Sequence, residues 1–226
     1  MPPMISSSSS STSSAPPSHP TPSSPRHPDI RILVHPSPVH VGYEAVRSLV
    51  PRLWGSDAPP RIDYMVHVGM AAGRPFYSVE RRGHRDGYVL PDVDGVVLAD
   101  KQHQRRNDED KGARDNWVWE GCPEELESDV DLDDVWVRWR SALPDLDLRV
   151  SEDAGHYLCD FIYYSSLAHL WKMEDERRVA FLHVPGDSSE AAIEMGREVL
   201  IELIRALVQS GETKRLLRGG DGSLSV

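Results

Sequence analysis

Cysteine is scarce in this chain: Cys122 and Cys159 are the only two among 226 residues. Two thiols are too few for a disulfide scaffold and too few for a cysteine-based zinc site. A reducing, cytosolic compartment is therefore expected. Phenylalanine is scarce as well, with three residues at 76, 161 and 181. No stretch approaches the ~18 apolar residues of a membrane span, and no apolar segment follows Met1 as in a secretory signal. Positive charge is in deficit, 25 Lys and Arg facing 36 Asp and Glu for a formal charge of −11. That balance argues against nucleic acid or an anionic membrane as the main partner. The one basic stretch, QHQRRNDEDKGAR, carries its own acids and reads as a solvated loop. Internal repeats are absent.

What is present suits one globular domain over residues 29–211, large enough to bury a core. Residues 1–28 are nearly all Ser and Pro and are expected to be a disordered tail. A transit peptide is the alternative there, with Arg26 as its single basic residue. RILVH (31–35) has the length and composition of a strand. YEAVRSLVPRLW carries helical spacing at Val46, Leu49, Val50 and Leu53, with Pro51 expected to kink or restart it. Strands are predicted over 62–69, 75–80 and 147–151, a charged insertion over about 101–121, and a helix over 131–143. RVAFLHVPG (178–186) is continuously apolar, the mark of a strand buried on both faces. Asp187-x-x-Glu190 has the form of a capping box opening a helix with Met195, Val199, Leu203, Ile204 and Leu207 on one stripe. Residues 212–226 read as a second frayed tail. Strands alternating with helices predict an α/β fold, a mostly parallel sheet with helices on both faces, with ligands bound beyond the carboxyl ends of the strands.

Three features meet at that rim. His183 ends the apolar strand, the GMAAGRP loop (69–75) follows the strand at 62–68, and Cys159 lies in the helix after 147–150. A cysteine nucleophile acts as its thiolate, which a neighbouring imidazole and a helix amino terminus both favour. With Ser151 or Asp153 as the cap, Cys159 falls in the second turn, so a histidine has to do most of the activation. The imidazole needs an orienting group, and Glu80, after an apolar strand, is a candidate by residue type. Taken singly, each residue has a plainer role. Cys159 beside Leu158, Phe161 and Ile162 reads as packing, and His183 as a hydrogen-bonded strand end, a position that His67 in its own HVG context shares. Glu80 next to Arg81 and Arg82 reads as a surface ion pair, and GMAAGRP is a weak glycine signal.

Together the fragments are more specific. SEDAGHYLCDFIYYSSL strongly resembles the cysteine motif of the pyroglutamyl-peptidase I family of cysteine peptidases. FLHVP is similar to that family's histidine motif, and HVGMAAGRPFYSVERRGHRDGY to its glycine loop and glutamate segment. PSPVHVGYEAVRSLVPRLW and GCPEELESDVDLDDV also resemble family sequence, so that the likeness spans roughly 30–210. The resemblance implies a three-layer α/β/α sandwich with Cys159 as nucleophile, His183 as general base and then acid, and Glu80 orienting the imidazole. It assigns Gly69, Met70, Gly73 and Arg74 to substrate binding, and implies peptides bearing an amino-terminal pyroglutamate as substrates. No metal and no organic cofactor is implied. One departure stands out: the family opens with a strand and a Gly-Phe-x-Pro-Phe loop that helps to wall the substrate pocket, and the Ser/Pro tail occupies that place. The expectation is a sheet without its first strand, from a mis-assigned start or a shortened paralogue. The alternative function is a non-catalytic homologue that binds peptides or another protein.

Overall fold

The computed structural model describes residues 29–55, 62–98 and 117–220. The predicted tail over 1–28, most of the charged insertion, and residues 221–226 lie outside the described residues. In chain order the elements are α1 (Tyr43–Trp54), β1 (Met65–Ala71), β2 (Tyr77–Glu80), β3 (Arg82–His84), β4 (Glu125–Glu127), α2 (Leu132–Ala142), β5 (Leu148–Ser151), α3 (Leu158–Lys172), β6 (Val179–Pro185) and α4 (Glu190–Gly220). The main sheet runs β1-β6-β2-β5, and β3 pairs with β4 in a separate antiparallel ladder. β1 is parallel to β6 and β2 to β5, while β2 meets β6 antiparallel. The sheet is thus mixed, with two of its three pairings parallel.

β6 shows why the sheet is sandwiched. Its residues 179–183 are all buried, and successive side chains point to opposite faces. Val179 and Phe181 join a core with Val46 and Val50 of α1 and Phe161, Tyr164 and Leu167 of α3. Ala180 and Leu182 join the opposite core with Val135 and Trp139 of α2 and Leu203 and Leu207 of α4. The indole N–H of Trp139 donates to the Val199 carbonyl at 2.9 Å, tying α2 to α4. Helices therefore cover both faces, as the apolar run in β6 requires.

Several boundaries differ from the sequence-based expectation. Residues 31–35 are not a strand: Ile32, Leu33 and Val34 are exposed, and among the described residues no neighbour pairs with them. A strand-like composition does not form a ladder without a partner. α1 runs through Pro51, which sits in its last turn and removes only the amide that would face residue 47. The cap of α4 is Ser189, whose hydroxyl accepts from the Ala192 N–H at 3.3 Å; Asp187 makes a turn with the Ser189 N–H at 2.9 Å instead. α4 also continues past residue 211, held by Arg138 donating to the Thr213 hydroxyl at 3.2 Å and Lys214 donating to the Asp129 carbonyl at 3.0 Å.

Candidate active site

The alternation that builds the core also sets the site. His183 follows Val179 and Phe181 on the α3 side of β6, and its ring centroid lies 4.7 Å from that of Phe181. Across the antiparallel pairing it is registered with Ser78, so that Ser78 and Glu80 of β2 share its face. The His183 Nδ1 lies 2.7 Å from Glu80 Oε1, and the carboxylate is fully buried. That oxygen also accepts from Arg74 Nη1 at 2.9 Å and from the Ser78 hydroxyl at 3.1 Å. Such partners offset the cost of burying a carboxylate. With Nδ1 donating to Glu80, the Nε2 of His183 is the basic nitrogen free to face a reacting group.

Cys159 reaches the same place from α3. β1 places Gly69 in register with His183, and a Cβ at Gly69 would stand 2.9 Å from the Cys159 Sγ and 2.6 Å from the Phe181 Cζ. The thiol therefore crowds the space a side chain at 69 would fill, at the strand position paired with His183. The helix begins at Leu158 after Tyr157, later than a cap at Ser151 or Asp153 would give. Residues 151–155 are taken up by a turn in which the Gly155 N–H donates to Asp153 Oδ1 at 2.8 Å, and Gly155 has φ of +82°. Cys159 is consequently in the first turn, not the second. No side chain caps this helix, so its first-turn amides have neither an intrahelical acceptor nor a capping side chain.

The thiol itself is not a preformed anion. Burial, with the negative charges of Glu80 and Asp160 behind it and Arg74 opposing, pushes Cys159 up to about 11. Asp160, the next residue, faces away toward β3. Burial pushes its carboxyl up to about 8, against hydrogen bonds from the His84 N–H and the Tyr88 hydroxyl.

The other residues singled out in the sequence fall as follows. Arg74 is committed inside the protein, to Ser78, Glu80 and the Asp153 carbonyl at 3.0 Å, a role that only the folded chain reveals. Gly69 lines the thiol. Met70 points outward and is exposed, and Gly73 lies in the turn beyond β1. His67 is not at the site: its Nε2 lies 2.9 Å from the Ser166 hydroxyl, and burial lowers its pKa to about 4. A cavity lined by Trp136, Arg140, Leu148 and Val150 opens elsewhere. Both cysteines are free thiols, and among the described residues no helix is long and apolar enough to cross a membrane.

No family model matches the chain. It is 31% identical over 184 residues to the human protein named pyroglutamyl-peptidase 1, an alignment covering 80% of this chain and 77% of the relative. The mouse protein of the same name is 32% identical over 152 residues, covering 67% of this chain and 62% of the relative. Among solved structures, a mutant pyrrolidone carboxyl peptidase from the hyperthermophile Pyrococcus furiosus superposes with a TM-score of 0.57 at 19% identity, covering 76% of this chain and 79% of that one. That last likeness bears on the fold, an α/β sandwich.

Proposed function

Because the chain belongs to the pyroglutamyl-peptidase I family, we propose that it hydrolyses an amino-terminal pyroglutamyl (5-oxoprolyl) residue from peptides through an acyl-enzyme on Cys159. The observation that carries this reading is the buried 2.7 Å contact of His183 Nδ1 with Glu80, which leaves Nε2 for the thiol packed over Gly69. In the proposed reaction His183 takes the Cys159 proton as Sγ attacks the carbonyl carbon of the pyroglutamyl residue. Helix-start amides stabilise the oxyanion. The peptide nitrogen then leaves with the proton from His183, giving a thioester and a peptide with a free amino terminus. Water, deprotonated by His183, attacks the thioester, and 5-oxoproline departs as the thiol recovers its proton.

A thiol held at about 11 gives this scheme a specific form. Proton transfer to His183 accompanies attack, because little thiolate exists beforehand at neutral pH. Glu80 holds the imidazole tautomer and stabilises its cation, and Arg74 acts on Glu80 rather than on substrate. A reducing cytosolic setting suits a free catalytic thiol.

The test is release of a fluorescent amine from a pyroglutamyl-amide by the purified chain, with Cys159→Ala and Glu80→Gln in parallel. Turnover abolished by Cys159→Ala and reduced at least ~100-fold by Glu80→Gln is the expected result. A folded wild-type chain that releases no amine would overturn the peptidase reading in favour of a non-catalytic peptide-binding homologue.

A further inference from the structure

Behind the nucleophile's helix a second cluster of chemically capable groups converges, and the proposed reaction does not use it. His84 ends β3, His156 precedes α3, and Asp160 lies in its first turn. Their potential ligand atoms all lie within 4.8 Å of one another. His84 Nδ1 is 3.3 Å and His156 Nδ1 3.8 Å from the same Asp160 oxygen, Oδ2. The two imidazole rings meet edge to face with centroids 5.0 Å apart. We propose that His84, His156 and Asp160 form a binding site for a divalent transition-metal ion of the zinc class, distinct from the Cys159 site.

The donor chemistry favours that class. Two imidazoles and one carboxylate suit zinc and its neighbours in the transition series better than calcium or magnesium, which prefer oxygen-only shells. Bonds of ~2.0–2.1 Å in tetrahedral geometry place donor atoms about 3.3 Å apart. The His84–Asp160 pair already has that separation. His156, whose side chain is 49% exposed and whose Nδ1 is 3.8 Å from Asp160 Oδ2, needs only a small swing to close the set. Gly87 leaves the necessary room: a Cβ there would stand 2.7 Å from His156 Nδ1.

The carboxylate is also held as a ligand would be. Asp160 is fully buried, its Oδ1 accepting from the His84 backbone N–H at 3.0 Å. The Tyr88 hydroxyl lies 3.1 Å from Oδ2. Such outer hydrogen bonds orient metal-binding carboxylates. No Lys or Arg bonds to Asp160 among the contacts of the described residues, so no side-chain cation would have to leave the carboxylate for the ion to bind. Consecutive helical residues diverge by about 100°, so Asp160 faces β3 while Cys159 faces Gly69. The ion would join β3 to the start of α3 without ligation by the nucleophile, and its occupancy would brace the turn that carries Cys159.

The experiment uses the full 226-residue chain carrying Cys159→Ala, so that the active-site thiol cannot bind the metal. After chelation and desalting, zinc is titrated by calorimetry and cobalt(II) by visible absorption. One equivalent of each is expected, with d–d bands for cobalt and no sulfur-to-cobalt charge transfer. His156→Ala, at a half-exposed position, and His84→Gln should each weaken zinc binding at least ~10-fold while leaving the circular dichroism spectrum and the metal-free melting temperature close to the parent's. Absence of zinc binding at micromolar concentrations, binding unaffected by His156→Ala, or a thiolate signature in the cobalt spectrum would each overturn the proposal.

Discussion

Adding one methyl group at Gly69 tests the geometry on which the catalytic reading depends. An ideal Cβ there sits 2.6 Å from Phe181 Cζ and 2.9 Å from Cys159 Sγ, against the ~3.5–4.0 Å of ordinary carbon contacts. Roughly an ångström of movement is needed, and Phe181 has little to give. Its ring is 1% exposed, with His183, Tyr163 and His67 at centroid distances of 4.7, 5.9 and 6.3 Å. Overpacking of this kind costs about 1–3 kcal/mol, and the lower chain entropy of Ala against Gly offsets at most about 1 kcal/mol. For a domain of this size each kcal/mol moves the melting temperature by about 2–4 °C, so Gly69→Ala should melt several degrees below wild type. Activity should suffer more. An ångström of misplacement at a reacting atom costs on the order of 100-fold, and the thiol is the less buried of the two obstructions. Calorimetry, together with kcat on a pyroglutamyl-amide at a temperature where both proteins are folded, separates the two effects. A Gly69→Ala protein with wild-type kcat and unchanged melting would refute the placement of Cys159 over Gly69.

Three further outcomes follow from the charged groups. Arg74→Ala leaves the buried Glu80 carboxylate without its cation; removing one partner of a buried pair costs about 3–5 kcal/mol, and the partial exposure of Arg74 brings this to about 2–4 by urea denaturation. Under the role proposed for it kcat falls with little change in KM, whereas a rise in KM alone on an otherwise stable protein would return Arg74 to substrate binding. With the Cys159 thiol near 11, alkylation by iodoacetamide should be slow at pH 7 and rise about tenfold per pH unit through pH 8–10; a rate already flat above pH 6 would mean a resting thiolate. His67 has a folded pKa lowered to about 4 from an ordinary 6.5, so the unfolded chain binds the extra proton. Its contribution is fully present above about pH 6.5 and is lost as pH falls toward 4, at most about 3 kcal/mol, and His67→Gln should flatten that part of the urea midpoint against pH.

The parts of the site that could be read from the sequence are those carried by local period. The apolar run of β6 marks a strand covered on both faces, and counting by two from Phe181 places His183 on one of them. The same count places Glu80 with Ser78 in β2. Residues whose meaning depends on a distant partner were harder to read. Arg74 is four and six positions from the residues it holds, yet its loop returns it to them only because β2 pairs beside β6. The start of α3 was misplaced because Asp153 and Gly155 form a turn that competes with helix capping. RILVH has strand composition without a pairing neighbour among the described residues, and the end of α4 is ordered by Arg138 and Lys214 rather than by its own pattern. Asp160 joins both kinds. Its place in the cysteine motif is local, but its burial under His84 and Tyr88 requires β3 to cross α3, so two neighbouring residues of one motif, Cys159 and Asp160, face different neighbours about 100° apart on the same helical turn.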